Sequence, residues 1–375
     1  MNIAILTWLH NGNYGSILQA YALQQYLRNK GLNVQNIDLH PSIIEKFKNM
    51  IQQRNPLFIF KDKWIALEAR KSCKDKKALL EKTDKFNSFL NSNFNLTRKY
   101  RKFDELKELS GEYDAYICGS DQVWSPMLLS PSYYFDFLKD SEKKIAYACS
   151  FGMSSIPVSK RMKIANWLQS FDAISVREDT GIKIVKDLIG RDVVLNVDPT
   201  MLLDSIEWSF ILPSRPLVEV DYMFCYFLTY NADYWKKSVA IAREKRLKLV
   251  LIPTTKETYN IEGAEIIENA GPEDWVNLIK HASLISTDSF HGCVFSIIFQ
   301  KQFIVFKRFA DSNILSQNSR IYTLLSTYGL RKCLIEDTLD LSIPIISDKE
   351  YSQAILRVKE KADNSKNWII SVING

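Results

Sequence analysis

The sequence predicts an α/β protein made of two doubly wound domains facing a cleft. Three observations lead there. Short apolar runs alternate with amphipathic stretches of helical period along most of the chain. Runs close on polar or glycine turns such as Gly119-Ser120-Asp121, Phe151-Gly152 and Asp198-Pro199-Thr200, where a parallel strand hands over to a helix. The length of 375 residues exceeds one ordinary domain and suits two.

The first domain is expected over 1–205. Ile3–Trp8 is an apolar run followed by the loop His10-Asn11-Gly12-Asn13-Tyr14-Gly15, and Ser16 can cap a helix to about Lys30. Gly31 stops that helix and Asn33–Leu39 returns as a strand. Residues 43–107 read as a helical, basic insert broken at Pro56. Strands follow at 113–118, 144–150, 173–176 and 193–197, with helices near 158–170 and 179–189. Residues 204–218, with Pro213 and Pro216, read as a linker.

The second domain is expected over 219–345. Strands are predicted at 221–228, 247–252, 264–267, 283–286 and 303–306, and helices at 232–246, 272–281, 290–300 and 319–328. A last helix in 346–375 is long enough to pack back across the domains.

Composition narrows the function. The chain is 46% apolar and 25% charged, which is globular rather than disordered. A net charge of +6 is too small to argue for nucleic acid. Its distribution says more: residues 43–107 hold 17 Lys/Arg against 8 Asp/Glu, so the remainder is slightly acidic. That basic region suits peripheral contact with a membrane surface or an anionic glycan carrier, or it is a solvated helical face. The six cysteines show no CxxC pattern, which fits buried thiols in a reducing compartment. No apolar run approaches the length of a membrane span, and the first residues lack a leader pattern. A cytoplasmic protein is expected, with its oligomeric state open.

In open α/β sheets ligands bind just beyond the strand C-termini, so polar residues in those positions are the candidates. The rule selects 10–16, 119–124, 150–152, 177–179 with 198–200, and 286–292. Asn13, Gly15 and Ser16 precede or open a helix, where backbone N–H groups favour an anion; a tight turn needs the same residues. Ser120 and Asp121 follow a strand, and Asp121 is a candidate general base or a loop cap. Arg177 is a candidate anion clamp, with Asp198 nearby in the same series of strand ends. Asp288, Ser289 and His291 lie between a strand and a helix, and His291 is the leading candidate for acid–base work. His10 is second; His40 and His281 receive no role. No second histidine or carboxylate pair accompanies His291 at ligand spacing, so no metal is expected.

Taken in order, NYGSILQAYAL, YDAYICGSDQVW, KKIAYACSFG, FDAISVREDTG, VDPTMLL and ISTDSFHG resemble the polysaccharide pyruvyl transferase family over roughly residues 1–330. The resemblance implies a GT-B-like fold of two Rossmann-like domains around a cleft. It implies a transferase of exopolysaccharide biosynthesis that moves the pyruvyl group of phosphoenolpyruvate onto a sugar as a ketal, with no cofactor. It maps the catalytic histidine onto His291 and an anion-binding arginine onto Arg177. Family members carry an arginine just before the histidine, where this chain has Phe290; Lys307, Arg308 and Arg320, in the segments that follow, are the candidates to compensate. The rival readings are a sugar-nucleotide glycosyltransferase on the same fold and a membrane-surface scaffold without catalysis.

Overall fold

A computed structural model describes residues 1–52, 75–310, 316–338, 340 and 342–375. Pro56 and the central part of the basic insert lie outside the described residues. The chain divides into two compact units, one of 1–62, 90–203 and 360–375 and the other of 63–89 and 204–359.

The first unit is built on β1 (Asn2–Leu6), β2 (Asn33–Leu39), β3 (Leu96–Tyr100), β4 (Ala115–Cys118), β5 (Lys144–Cys149), β6 (Ala173–Val176) and β7 (Val194–Leu195). They form one parallel sheet in the order β3-β2-β1-β4-β5-β6-β7. The central strands are buried on both faces, as a sheet covered by helices requires. The helices are α1 (Tyr14–Asn29), α2 (Ile43–Gln52), α4 (Val158–Gln169) and α5 (Asp179–Ile189). Strand β3 was not expected, because Thr97, Arg98 and Lys99 give it no apolar alternation. It forms because a buried amide network holds its entry: Gln24 Oε1 accepts from Asn36 Nδ2 at 2.8 Å and from the Asn95 amide at 2.9 Å.

The second unit carries β8 (Tyr222–Tyr226), β9 (Lys248–Leu251), β10 (Ala264–Ile266), β11 (Leu284–Thr287), β12 (Phe303–Phe306) and β13 (Leu334–Ile335). The parallel order is β10-β9-β8-β11-β12-β13. Its helices include α6 (Ser205–Ser209), α7 (Ala232–Glu244), α8 (Pro272–His281), α9 (Phe290–Ile298) and α10 (Asn318–Tyr328).

Three expectations are corrected. The helix after β1 is capped by Asn13 rather than Ser16, since the Asn13 side chain accepts from the Ser16 amide at 3.2 Å. The stretch expected as a linker belongs to the second unit. Asp204 caps α6, Trp208 is fully buried with its ring 4.9 Å from Phe295, and Asn277 accepts from the Leu217 amide at 3.0 Å. The insert does not belong wholly to the first domain. Helix α3 (Lys76–Asn93) starts in the second unit, where Lys85 pairs with Asp274 at 2.7 Å and Glu81 accepts from Asn269 at 2.8 Å. The terminal helix α11 (Asp348–Asn374) contributes its first part to the second unit and its last part to the first. Ser365 there accepts from the Val197 amide at 3.0 Å.

The described cysteines, 118, 149, 225, 293 and 333, are free and buried. Burial pushes the Cys149 and Cys293 thiols well up and Cys333 to about 12, so they are inert core residues. No described helix is long and apolar enough to cross a membrane.

Candidate functional site

Strand order reverses between β1 and β4 in one sheet and between β8 and β11 in the other. Loops leaving the strands on either side of such a point diverge and open a crevice.

In the first unit the crevice is organised around Asp121. The Ser16 hydroxyl, on the β1 side, donates to Asp121 Oδ2, on the β4 side. Asn11 Nδ2 donates to the same hydroxyl at 2.9 Å. Asp121 sits at φ +74°, a conformation that costs a side-chain-bearing residue about 1–3 kcal/mol and tends to be kept at functional positions. Its backbone is fixed by the Ser150 amide, which donates to the Asp121 carbonyl at 3.0 Å, and its Oδ1 accepts from the Gln122 amide at 2.9 Å.

Beneath it lies Arg177, immediately after β6 and with its side chain only 1% exposed. Its Nη1 is 2.5 Å from Asp198 Oδ2, its Nη2 3.6 Å from Asp121 Oδ1, and its Nε 4.0 Å from Glu178 Oε2. One guanidinium thus faces three carboxylates and ties together the ends of β4, β6 and β7. An anionic ligand would reach it only by displacing a carboxylate. Asp198 is held further by Thr200, whose amide and hydroxyl donate to Oδ1 at 3.0 and 2.7 Å. The Ser120 hydroxyl turns inward and donates to the Ala148 carbonyl at 2.7 Å.

A neighbouring cluster was only half visible in the sequence. His10, after β1, lies with Nε2 2.6 Å from Asp38 Oδ1 on β2, and its ring stacks on His40 at 4.5 Å between centroids. Burial would raise the Asp38 carboxyl, but the His10 hydrogen bond and charge, with Lys99 and His40, hold it below its ordinary value. Burial lowers His40, as do the charges of His10, Lys46, Lys99 and Arg101. A carboxylate that accepts from Nε2–H leaves neutral His10 with Nδ1 as its basic nitrogen. The rule of polar residues after strand ends selected His10; applied to β2 it also selects His40.

In the second unit Asp288 plays the bridging part. Its Oδ1 accepts from the Leu228 amide at 2.6 Å, and its Oδ2 from the Thr229 amide and hydroxyl at 3.2 and 2.9 Å. Burial raises its pKa, while Arg308 and these donors oppose the rise. Ser289 caps α9 by accepting from the Gly292 amide at 3.2 Å, and the Ser289 amide donates to Thr287 Oγ1 at 3.0 Å. Gly292 is required here: a Cβ would lie 2.7 Å from Thr287 Oγ1. His291 follows in the first turn of α9, 7% exposed, its ring edge-on to Phe290 at 5.2 Å.

The cations near this turn come from further along the chain. Arg320 Cζ lies 5.7 Å from the Phe290 ring centroid. Arg308 Nη1 and Arg320 Nη2 converge on Gln317 Oε1 at 3.4 and 2.8 Å. Lys307 instead pairs with Glu336 at 3.3 Å.

The structure therefore gathers Asn13, Gly15, Ser16, Ser120, Asp121, Arg177 and Asp198 at the crevice of the first unit. Asp288, Ser289 and His291 gather at that of the second.

Solved structures share this architecture at low identity. A UDP-N-acetylglucosamine 2-epimerase from Listeria monocytogenes, described as putative, aligns with TM-score 0.53 and 10% identity over 97% of this chain and 90% of that one. The Neisseria meningitidis UDP-GlcNAc 2-epimerase bound to UDP-GlcNAc gives 0.50 and 8% over 99% of each. The spinosyn rhamnosyltransferase SpnG gives 0.50 and 9% over the whole of both. These likenesses establish a GT-B-like fold of two parallel-sheet α/β units. No curated protein sequence matches the chain. Residues 13–308, however, match the sequence profile described as polysaccharide pyruvyl transferase, and the chain belongs to that family of transferases.

Proposed function

We propose that the chain transfers the pyruvyl group of phosphoenolpyruvate to a sugar of a surface or exopolysaccharide precursor, forming a ketal. Beyond family membership, one observation carries the reading. His291 occupies the first turn of α9 in the crevice of the second unit, with Arg308 and Arg320 brought to the same region. A helix N-terminus and guanidinium groups suit an anionic donor, and an imidazolium suits delivery of a proton.

In this mechanism His291 protonates the vinyl CH2 and positive charge develops at the adjacent carbon. An acceptor hydroxyl attacks that carbon and gives its proton to a base. Phosphate leaves with the C–O electron pair and takes up the proton held by the base, and a second hydroxyl closes the ketal as its proton returns to His291. The donor carries its own leaving group, so the reading invokes no cofactor. The crevice of the first unit offers acid–base groups of its own. Asp121 and His10 are its candidate bases, with Asn13, Gly15, Ser16 and Ser120 shaping the crevice and Arg177 and Asp198 bracing it. The reading places the protein in the cytoplasm.

Incubation with phosphoenolpyruvate and glycan acceptors should release phosphate, and His291→Ala should lower turnover by roughly 10²–10⁴. Unchanged turnover in a folded His291→Ala protein contradicts the assignment. The fold shared with a rhamnosyltransferase favours one second reading, glycosyl transfer from a sugar nucleotide, which predicts nucleotide release instead.

A further inference from the structure

We infer that α2 is an interfacial helix that seats the first unit on an anionic lipid surface. A helix of a globular protein normally turns its apolar stripe to the core. Helix α2 does the reverse: Ile43, Ile44, Phe47 and Ile51 are 70, 68, 47 and 60% exposed. At 3.6 residues per turn these four side chains occupy one face about 100° wide. The opposite face looks inward, where Asn49 Nδ2 donates to the Leu129 carbonyl at 3.3 Å and Glu45 is 14% exposed. Lys46 and Lys48 fall on the two borders of the stripe.

An apolar face flanked on both sides by lysines is the pattern of a helix lying at a bilayer interface, stems along the acyl boundary and ammonium groups at the phosphates. Charge selects the lipid. The charges of Lys46, Lys99 and Arg101 all act on His40 at the C-terminal end of β2, and residues 43–52 and 90–107 of the first unit carry 7 Lys/Arg against 3 Asp/Glu. Because α2 begins just after β2, the lipid lies toward the C-terminal edge of the first sheet, on the same side as Asp121 and His10. A lipid-linked acceptor follows from that placement. This last step alone rests on the proposed function; the lipid contact stands without it.

The test is co-sedimentation of the full chain with vesicles of phosphatidylcholine alone or mixed with phosphatidylglycerol. The wild type should sediment with the mixed vesicles, be released by high salt, and bind pure phosphatidylcholine weakly. The double variant Ile44→Asp, Phe47→Asp should lose about tenfold or more in partitioning, with its circular dichroism and melting temperature unchanged. Lys46→Glu with Lys48→Glu should weaken binding to the mixed vesicles only. Wild type that binds neither vesicle overturns the inference, as does a double variant that binds like wild type. So does a self-associating wild type that the double variant converts to monomer, since the face would then meet a second copy. No transfer activity enters the readout, so failure of the pyruvyl reading leaves this result interpretable.

Discussion

Asp288 Oδ1 accepts the Leu228 amide at 2.6 Å, and so joins the end of β11 to the end of β8 across the point where strand order reverses. Ser16 and Asp121 make the matching connection in the first unit, from α1 after β1 to the loop after β4. Backbone donors that leave a strand ladder must find acceptors elsewhere. In the second unit the Asp288 carboxylate meets that need from across the crevice; in the first, Asp121 instead accepts from the Ser16 hydroxyl across it, and each contact fixes loops where a ligand would sit.

Asp288→Ala removes the acceptor of two backbone amides and should destabilise the protein by about 1–3 kcal/mol. Asp288→Asn keeps an acceptor oxygen and should cost less. Because burial raises the Asp288 pKa, its protonated form favours the fold. Its contribution is full below the ordinary carboxylate value and is lost as pH rises through the raised one. The melting-temperature gap between wild type and Asp288→Asn should therefore narrow as pH rises toward neutrality.

Removing Arg177 leaves Asp198 and Asp121 buried beside Glu178 without their common cation. Arg177→Ala should cost about 3–5 kcal/mol, read as a lower denaturation midpoint. Arg177→Lys retains charge but not the fork, and should fall between the two. A variant as stable as wild type would show that the three carboxylates do not need the guanidinium.

Substitution separates His10 from Asp121 as the base. If His10 Nδ1 takes the acceptor proton, His10→Ala should lower transfer by about 10²–10⁴. Asp38→Asn should lower the same rate through loss of the 2.6 Å contact. It should also change stability. The lowered Asp38 pKa contributes stability above the ordinary carboxylate value and loses it as pH falls through the lowered one. If Asp121 is the base instead, Asp121→Asn should lower transfer by a similar factor and His10→Ala should spare it.

Gly292→Ala tests how tightly the His291 turn is held. Alanine suits a helix better than glycine by about 1 kcal/mol. The new Cβ would nevertheless press within 2.7 Å of Thr287 Oγ1, which donates to the Tyr226 carbonyl at 2.6 Å. Turnover should fall by more than the melting temperature would suggest, as separate kinetic and thermal measurements would show.

Much of this was legible in the sequence, because buried parallel strands are short apolar runs ending in polar turns. Asn33–Leu39, Ala173–Val176, Phe303–Phe306 and the helix Pro272–His281 fall where the pattern puts them. What escaped depends on partners distant in sequence. Strand β3 forms through a network from Gln24, and Trp208 leaves the expected linker for a core it shares with Phe295. The site residues were found by position after strands, but their pairings were not. Of the three carboxylates around Arg177 only Glu178 is a neighbour in sequence; Asp121 and Asp198 come from separate loops that nothing local announces. His40 stands just after β2, where the same rule selects it, but its pairing with His10 appears only when the two rings stack.

The most direct test is product analysis with phosphoenolpyruvate and a glycan precursor as substrates, wild type beside His291→Ala. The account predicts phosphate release coupled to a ketal-linked pyruvyl group on the glycan, and loss of both in the variant. Nucleotide release from a sugar nucleotide, with phosphoenolpyruvate left intact, would contradict it.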